Sequence, residues 1–184
     1  MKTALILIDI QNDYFPKGNM ELVESTEASI NAKKILNVFR NIGTEIIHIR
    51  HYSAKPNATF FLPDSIGSEI HENVTPIPGE LVIIKHFPNS FRSTTLHETL
   101  IERKIDTLVI VGMMTHMCID TTVRAAFDYG YKCVLLSDCC ASKNMQYKNI
   151  TISAEIVNAA YFSAINNMFA EVKTSDEYLS QLNF

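Results

Sequence analysis

Short apolar runs rich in β-branched residues alternate along this chain with longer stretches of helical period. The runs are apolar at consecutive positions, which is expected for strands that helices cover on both faces. Such alternation is typical of βαβ units with a parallel sheet. Six strands are predicted, at residues 4–8, 45–49, 81–84, 107–112, 132–136 and 171–172. The pattern therefore predicts a three-layer α/β/α fold with a six-stranded, mainly parallel sheet.

Five stretches with helical periodicity accompany these strands, at residues 26–41, 94–103, 119–129, 153–168 and 174–182. Each helix is expected to turn one apolar stripe toward the sheet. The predicted stripes are Ile30, Ile35, Leu36 and Phe39 in the first helix and Ile156, Ala159, Ala160 and Ala164 in the fourth.

Residues 52–78 interrupt this rhythm, with four prolines and the apolar trio Phe60, Phe61 and Leu62. Long loops in compact domains tend to be lids or binding loops. A surface excursion with a short helix at residues 65–71 is the alternative, and the sequence leaves both open.

The composition is that of an ordinary globular protein. With 184 residues, of which 47% are hydrophobic and 20% charged, the chain is expected to form a single domain over residues 1–184. A net charge of −4 without a basic patch argues against nucleic-acid or membrane partners. The chain enters its first predicted strand directly, so no signal peptide and a cytoplasmic location are expected. The four cysteines are therefore expected to be free thiols.

The segment 111–118 carries the first candidate for chemistry. A buried strand breaks at Gly112 and presents Cys118 at the start of a predicted helix. The N–H groups and the positive dipole end of a helix N-terminus lower the pKa of a cysteine and can hold an oxyanion. The alternative is a small buried apolar cysteine, which is common.

Asp9 and Lys85 directly follow other predicted apolar strands. Ligands of a parallel α/β sheet bind outside the carboxyl ends of its strands, so both residues are expected on the same rim as Cys118. An acid there is often only a turn former, and a lysine is often only solvated. A charge beside an apolar strand needs a partner, however, and a thiol beside such a pair gains a base and a cation. Convergence of the three favours a nucleophilic site.

These segments resemble the isochorismatase-like cysteine hydrolases. The matching segments are 9–15, Lys85 with 89–91, and, around the cysteine, 111–115, 118–121, Ala125 and 130–131. The resemblance implies a Rossmann-like six-stranded parallel sheet and a catalytic triad of Asp9, Lys85 and Cys118. It also implies a cis peptide bond between Met113 and Met114, which would aim the N–H groups of Met114 and Cys118 at an oxyanion. Assembly into a dimer or tetramer is a further expectation from this family.

The chemistry that the resemblance implies is cleavage of a C–N bond in a small amide or ureide through a thioester on Cys118, with no cofactor. Family members that hydrolyse a vinyl ether lack the cysteine, so the presence of Cys118 favours amide-type chemistry, and vinyl-ether hydrolysis is the alternative. A non-catalytic protein on this fold, or a thiol-redox protein using Cys118 with Cys139 and Cys140, is another. No metal is expected, because Ile49 replaces the aspartate of the nicotinamidase metal site. An ion held by His48, His51 and His71 remains an alternative.

The expected partner is a small-molecule substrate. Its candidate contacts are Gln11, Phe15, Phe60, Phe91 and His116, which lie near predicted strand ends or in the long loop. Aromatic residues at such places are as often part of the core. Gln11 could instead support a neighbouring residue, and His116 or Arg50 could bind an anionic group or lie in solvent.

Overall fold

A six-stranded parallel sheet with helices on both faces forms the centre of the computed structural model, which describes residues 2–182. Its strands are β1 (Thr3–Ile8), β2 (Glu45–His51), β3 (Leu81–Lys85), β4 (Thr107–Met113), β5 (Lys132–Ala141) and β8 (Glu171–Lys173). The spatial order is β3-β2-β1-β4-β5-β8, and all five pairings are parallel. The predicted fold class and all six strands are confirmed. Strand order reverses beside β1, so the carboxyl ends of β1 and β4 flank the crevice where α/β sheets bind ligands.

Two features of the sheet region differ from the pattern prediction. β5 continues to Ala141, past the predicted end at residue 136, because Ser137 and Asp138 interrupt the apolar run without ending the strand. Their side chains instead bond Lys173 O and the Ser175 N–H at 3.1 and 2.7 Å. A short antiparallel pair, β6 (Met145–Tyr147) and β7 (Ile150–Ile152), was not predicted, because three-residue strands are too short to show a period.

The helices are α1 (Ser25–Ile42), α2 (Leu96–Glu102), α3 (Asp120–Asp128), α4 (Ala154–Ile165) and α5 (Ser175–Ser180). The predicted stripe of α4 is wrong. Ile156, Ala159, Ala160 and Ala164 all face outward, with Ile156 59% exposed, whereas Val157 and Ile165 are buried. The helix is apolar on every side, so periodicity could not select the buried face. In α1, Ile30 is likewise exposed, although Ile35, Leu36 and Phe39 are buried as predicted.

Each face of the sheet has its own apolar core. In β1, Leu5 and Leu7 pack on the α1 side, and Ala4, Ile6 and Ile8 pack on the opposite side with Leu96 and Leu100 of α2. This two-sided burial explains why the strands are apolar at consecutive positions. Within residues 2–182, no helix has both the length and the apolarity that a membrane span requires.

Gly112 of β4 lies opposite Ile8 of β1 in the sheet. Its φ is +132°, and a Cβ built on it would lie 2.0 Å from Ile8 O. We expect Gly112→Ala to lower the free energy of unfolding by about 3 kcal/mol or more, because the strain of the backbone adds to a clash with a fixed carbonyl. Urea unfolding measures this. Gly43→Ala is the matched control, since Gly43 also has positive φ but open space around it, and it should cost only about 1 kcal/mol. Equal losses for the two variants would refute the clash.

Candidate functional site

Three strand ends bring Asp9, Lys85 and Cys118 together on one rim. Asp9 follows β1, with its N–H bonded to Ile49 O at 3.0 Å. Lys85 is the last residue of β3, and its Nζ lies 2.8 Å from Asp9 Oδ2. Both side chains are fully buried. Cys118 lies in a π-helical turn (Thr115–Ile119) between β4 and α3, and is 4% exposed. The structure therefore places the three predicted residues within reach of one another.

Asp9 and Lys85 form a buried ion pair. Burial alone would raise the pKa of Asp9, but the opposing interactions, of which that of the Lys85 ammonium is the largest, outweigh it, and the net direction is downward. Burial would likewise lower the pKa of Lys85, whereas Asp9 and Cys118 raise it, and the net direction is upward. Both groups are therefore charged in the resting site.

The Cys118 thiol differs from the expectation of a lowered pKa. Burial and then the Asp9 carboxylate raise its pKa, and the opposing effect of Lys85 is smaller. The prediction of a lowered pKa was wrong, because desolvation and the adjacent Asp9 carboxylate both raise the pKa of this thiol. The resting sulfur is therefore a neutral thiol within hydrogen-bonding reach of Asp9. It needs a base at the moment of attack, and Asp9 lies beside it.

The peptide bond between Met113 and Met114 is cis, at the position that the resemblance implies. Met114 immediately precedes the π-helical turn, and its carbonyl accepts the N–H groups of Met117 and Ile119 at 3.0 and 3.2 Å. Within residues 2–182, the Met114 N–H donates no backbone hydrogen bond outside the regular elements.

Sequence reasoning undervalued His51, which ends β2 and belongs to this cluster. Ligand atoms of Asp9, His51 and Cys118 lie within 4.8 Å of one another. His51 Nδ1 is 3.3 Å from Lys85 Nζ and 3.7 Å from Asp9 Oδ2. The position of His51 just after a predicted strand was a usable signal, but only the strand order, with β2 between β1 and β3, brings it beside Asp9 and Lys85.

His48, His51 and His71, the three histidines considered as metal ligands, do not point to a common site. His48 points to Glu80, with His48 Nε2 and Glu80 Oε2 2.9 Å apart. His71 stacks on Phe15 at 3.6 Å between ring centroids, and its Nδ1 accepts the Asn73 N–H. Each of these two imidazoles is thus engaged away from His51.

Two candidate substrate contacts are placed elsewhere by the structure. Gln11 is fully buried, and its amide bonds the backbone N–H and carbonyl of His51 at 2.7 and 3.0 Å, as well as Ser68 O at 2.8 Å. It therefore supports the rim rather than facing a substrate. Phe91 is buried among Tyr129, Tyr131 and His97, so it is a core residue.

The other three candidates are buried or half-buried against neighbouring side chains. Phe15 is 4% exposed against His71, and Phe60 is half-buried beside Tyr14 and Phe61. His116 is 8% exposed, and its Nδ1 lies 2.9 Å from Ser142 Oγ. Burial and then Lys143 lower the pKa of His116, which disfavours a charged imidazole as an anion contact. Arg50 bonds Ser68 O and covers the Tyr52 ring, so its guanidinium is also engaged.

The long loop packs over this rim instead of extending into solvent. It contains two 3₁₀ turns, Ile66–Ser68 and Glu72–Val74, in place of the single predicted helix. Asp13 anchors it, because its carboxylate accepts the Phe61 N–H at 2.6 Å, and a Cβ on Gly67 would strike that carboxylate at 2.3 Å. Phe61, which is 1% exposed, lies with its ring 5.7 Å from the His51 ring. The loop therefore forms a wall of the site.

A cavity of about 640 Å³ opens at the opposite edge of the sheet, where it is lined by early strand residues such as Thr3, Thr107 and Lys132. Neither Asp9 nor Lys85 nor Cys118 lines it. The carboxyl ends of the strands carry the nucleophile and the charges, so the candidate site is the nearly closed cluster around Cys118.

Known proteins show the same architecture. A family model described as the isochorismatase domain matches residues 3–177. An uncharacterized isochorismatase family protein of Bacillus subtilis, YddQ, is 46% identical over 97% of this chain and 99% of its own length. The crystal structure of a candidate isochorismatase hydrolase from Oleispira antarctica superposes with a TM-score of 0.93 at 44% identity, over 97% of this chain and 96% of that one. N-carbamoylsarcosine amidase from Thermoplasma acidophilum gives a TM-score of 0.79 at 26% identity, over 96% and 98% of the two chains.

Proposed function

Since the chain belongs to the isochorismatase family of hydrolases, we propose that it cleaves the C–N bond of a small amide or ureide through a thioester on Cys118. The observation that carries the proposal is a neutral thiol beside a buried carboxylate whose charge a buried ammonium maintains. This arrangement supplies a nucleophile, a base and a supporting cation, the requirements of covalent catalysis. The similar carbamoylsarcosine amidase adds support for amide-type chemistry.

In the first half of the reaction, Asp9 takes the thiol proton while Cys118 Sγ attacks the substrate carbonyl. The carbonyl oxygen becomes an oxyanion, which the N–H groups of Met114 and Cys118 would hold, and one such donor is worth about 3 kcal/mol. Asp9 then donates the same proton to the leaving nitrogen as the C–N bond breaks. Ammonia or an amine leaves, and the acyl group remains on sulfur.

In the second half, Asp9 takes a proton from water as the water oxygen attacks the thioester. The C–S bond breaks, the acid or carbamate product leaves, and the proton returns to the sulfur. Lys85 stays protonated throughout and keeps Asp9 ionised between the two halves. The cycle consumes one water and returns every side chain to its starting state.

Vinyl-ether hydrolysis is the second candidate, because the family's name derives from such an activity. That reaction needs no sulfur nucleophile, so it would not use the Cys118 thiol that lies beside Asp9 and Lys85. A redox role has less support, since Cys139 and Cys140 are both buried and burial raises the pKa of both thiols.

Acyl transfer to Cys118 tests the proposal directly. We expect that one member of a panel of small amides, ureides and carbamoyl compounds, mixed with the protein and quenched with acid, adds its acyl mass to the peptide containing Cys118. The adduct should disappear as product forms. Turnover of a panel member without any adduct in rapid-quench experiments, or turnover of a vinyl ether alone, would contradict the thioester.

We also propose a cytoplasmic location and self-association into a dimer or tetramer. Four unpaired cysteine thiols support a reducing compartment, and the outward apolar stripe of α4 supports a contact with another copy. A native disulfide in protein isolated under alkylating conditions would count against the cytoplasmic location. A monomer in light scattering would count against self-association.

A further inference from the structure

His51 has no role in the scheme above, although it is built into the cluster. It ends β2 in register with Lys85 of β3. Gln11 clamps it from the β1 side, since the Gln11 side chain pairs with both the N–H and the carbonyl of His51 at 2.7 and 3.0 Å. The same amide also bonds Ser68 O in the long loop. Three separate chain segments therefore fix where the imidazole lies.

The surroundings of Lys85 Nζ identify the protonation state of His51. The ammonium makes three hydrogen bonds, to Phe87 O and Pro88 O at 3.1 Å and to His51 Nδ1 at 3.3 Å, and it lies 2.8 Å from Asp9 Oδ2 as an ion pair. A lysine ammonium only donates, so the nitrogen that faces it must carry a lone pair. An accepting Nδ1 belongs to the imidazole form whose single proton is on Nε2.

This contact excludes two familiar uses of histidine. A general base needs a free lone pair, but the lone pair of His51 faces the Lys85 ammonium. Burial alone would lower the pKa of Lys85, yet Asp9 and Cys118 raise it, so this ammonium stays charged. A metal ion could in principle use Asp9, His51 and Cys118. The Lys85 ammonium, however, lies against the Asp9 and His51 atoms that would bind the ion. The cation of this cluster is therefore Lys85.

We propose that His51 is a positioning residue, which holds the Lys85 ammonium against Asp9 by accepting one of its hydrogen bonds without adding charge. A second carboxylate there would divide the ammonium between two anions, and an apolar residue would leave one N–H to seek another acceptor. Either change would loosen the pairing on which the base depends. The inference rests on the proposed function, since it concerns the same site.

Amide substitutions separate the two nitrogens of the imidazole. In His51→Asn, the side-chain oxygen takes the place of Nδ1, whereas in His51→Gln the amide reaches the place of Nε2. With the panel substrate turned over fastest, we expect His51→Asn to keep kcat within about threefold, and His51→Gln and His51→Leu to lose about 10–100-fold with little change in KM. An inactive His51→Asn with an active His51→Gln would overturn the proposal, as would three variants of equal activity.

A measurement without substrate keeps this inference separate from the proposed function. Long-range ¹H–¹⁵N correlation of the histidine rings, assigned with the His51→Asn protein, should show His51 neutral and protonated at Nε2 at neutral pH. A charged ring or an Nδ1–H tautomer would overturn the inference even if amides are hydrolysed. Conversely, full turnover by Cys118→Ala would refute the thioester while the tautomer still decides the role of His51.

Discussion

Replacing Cys118 by alanine is expected to reduce turnover of the best panel amide by at least about 10³-fold, because the reaction loses its nucleophile. The folded protein should persist, since Cys118 is one small side chain at the edge of a large core. Cys118→Ser should be almost as inactive. Its hydroxyl is far harder to deprotonate than a thiol, and the pKa of Asp9 lies below its usual value, which makes this carboxylate a weak base.

Cys133→Ala is the matched control for this loss. Cys133 is also buried, and burial raises the pKa of its thiol to about 12, but it lies at the start of β5, far along the strand from the rim. We expect this variant to keep kcat and to lose only modest stability. Full turnover by both Cys118 variants would show that the sulfur takes no part in the chemistry.

The convergence of Asp9, Lys85 and Cys118 was accessible to sequence reasoning for a simple geometric reason. Continuous apolar runs identify parallel strands, and parallel strands end at one edge of their sheet, so the polar residue after each run is placed without any structure. The order of the strands was not accessible in this way. Only that order shows that β2 separates β1 from β3 and brings His51 beside both charges.

Side-chain direction and desolvation account for the other differences. Gln11 and Phe91 are close in sequence to residues of the site. However, the Gln11 amide bonds the backbone of His51, and the Phe91 ring packs in the core. Sequence period cannot report such rotamers. The thiol of Cys118 likewise depends on how completely water is excluded and on which side Asp9 lies, and neither is encoded in local pattern.

Neutralising Asp9 should damage both stability and activity. Asp9→Asn leaves the Lys85 ammonium buried without its counter-ion, and breaking a buried pair in this way typically costs about 3–5 kcal/mol. Turnover should fall by at least about 10³-fold, because an amide cannot take the thiol proton. Glu171→Gln is the control for loss of an ion pair, since Glu171 pairs with Lys173 at 2.7 Å but is 59% exposed. It should change stability by less than about 0.5 kcal/mol and leave turnover intact.

The double variant Asp9→Asn/Lys85→Met separates the loss of stability from the loss of turnover. It removes both charges, so urea unfolding should show most of the stability restored, because apolar replacements of buried pairs are often neutral or stabilising, while hydrolysis stays absent. The pH dependence of stability should show the same ion pair. Asp9 has a pKa below the ordinary 3.8 in the folded state, so its stabilisation is complete above that pH and is lost as the pH falls below it. The double variant should lack this part of the acid transition.

Two outcomes would contradict these expectations. Hydrolysis by the double variant at the wild-type rate would refute Asp9 as the base. An Asp9→Asn protein as stable as the wild type would refute a stabilising buried pair.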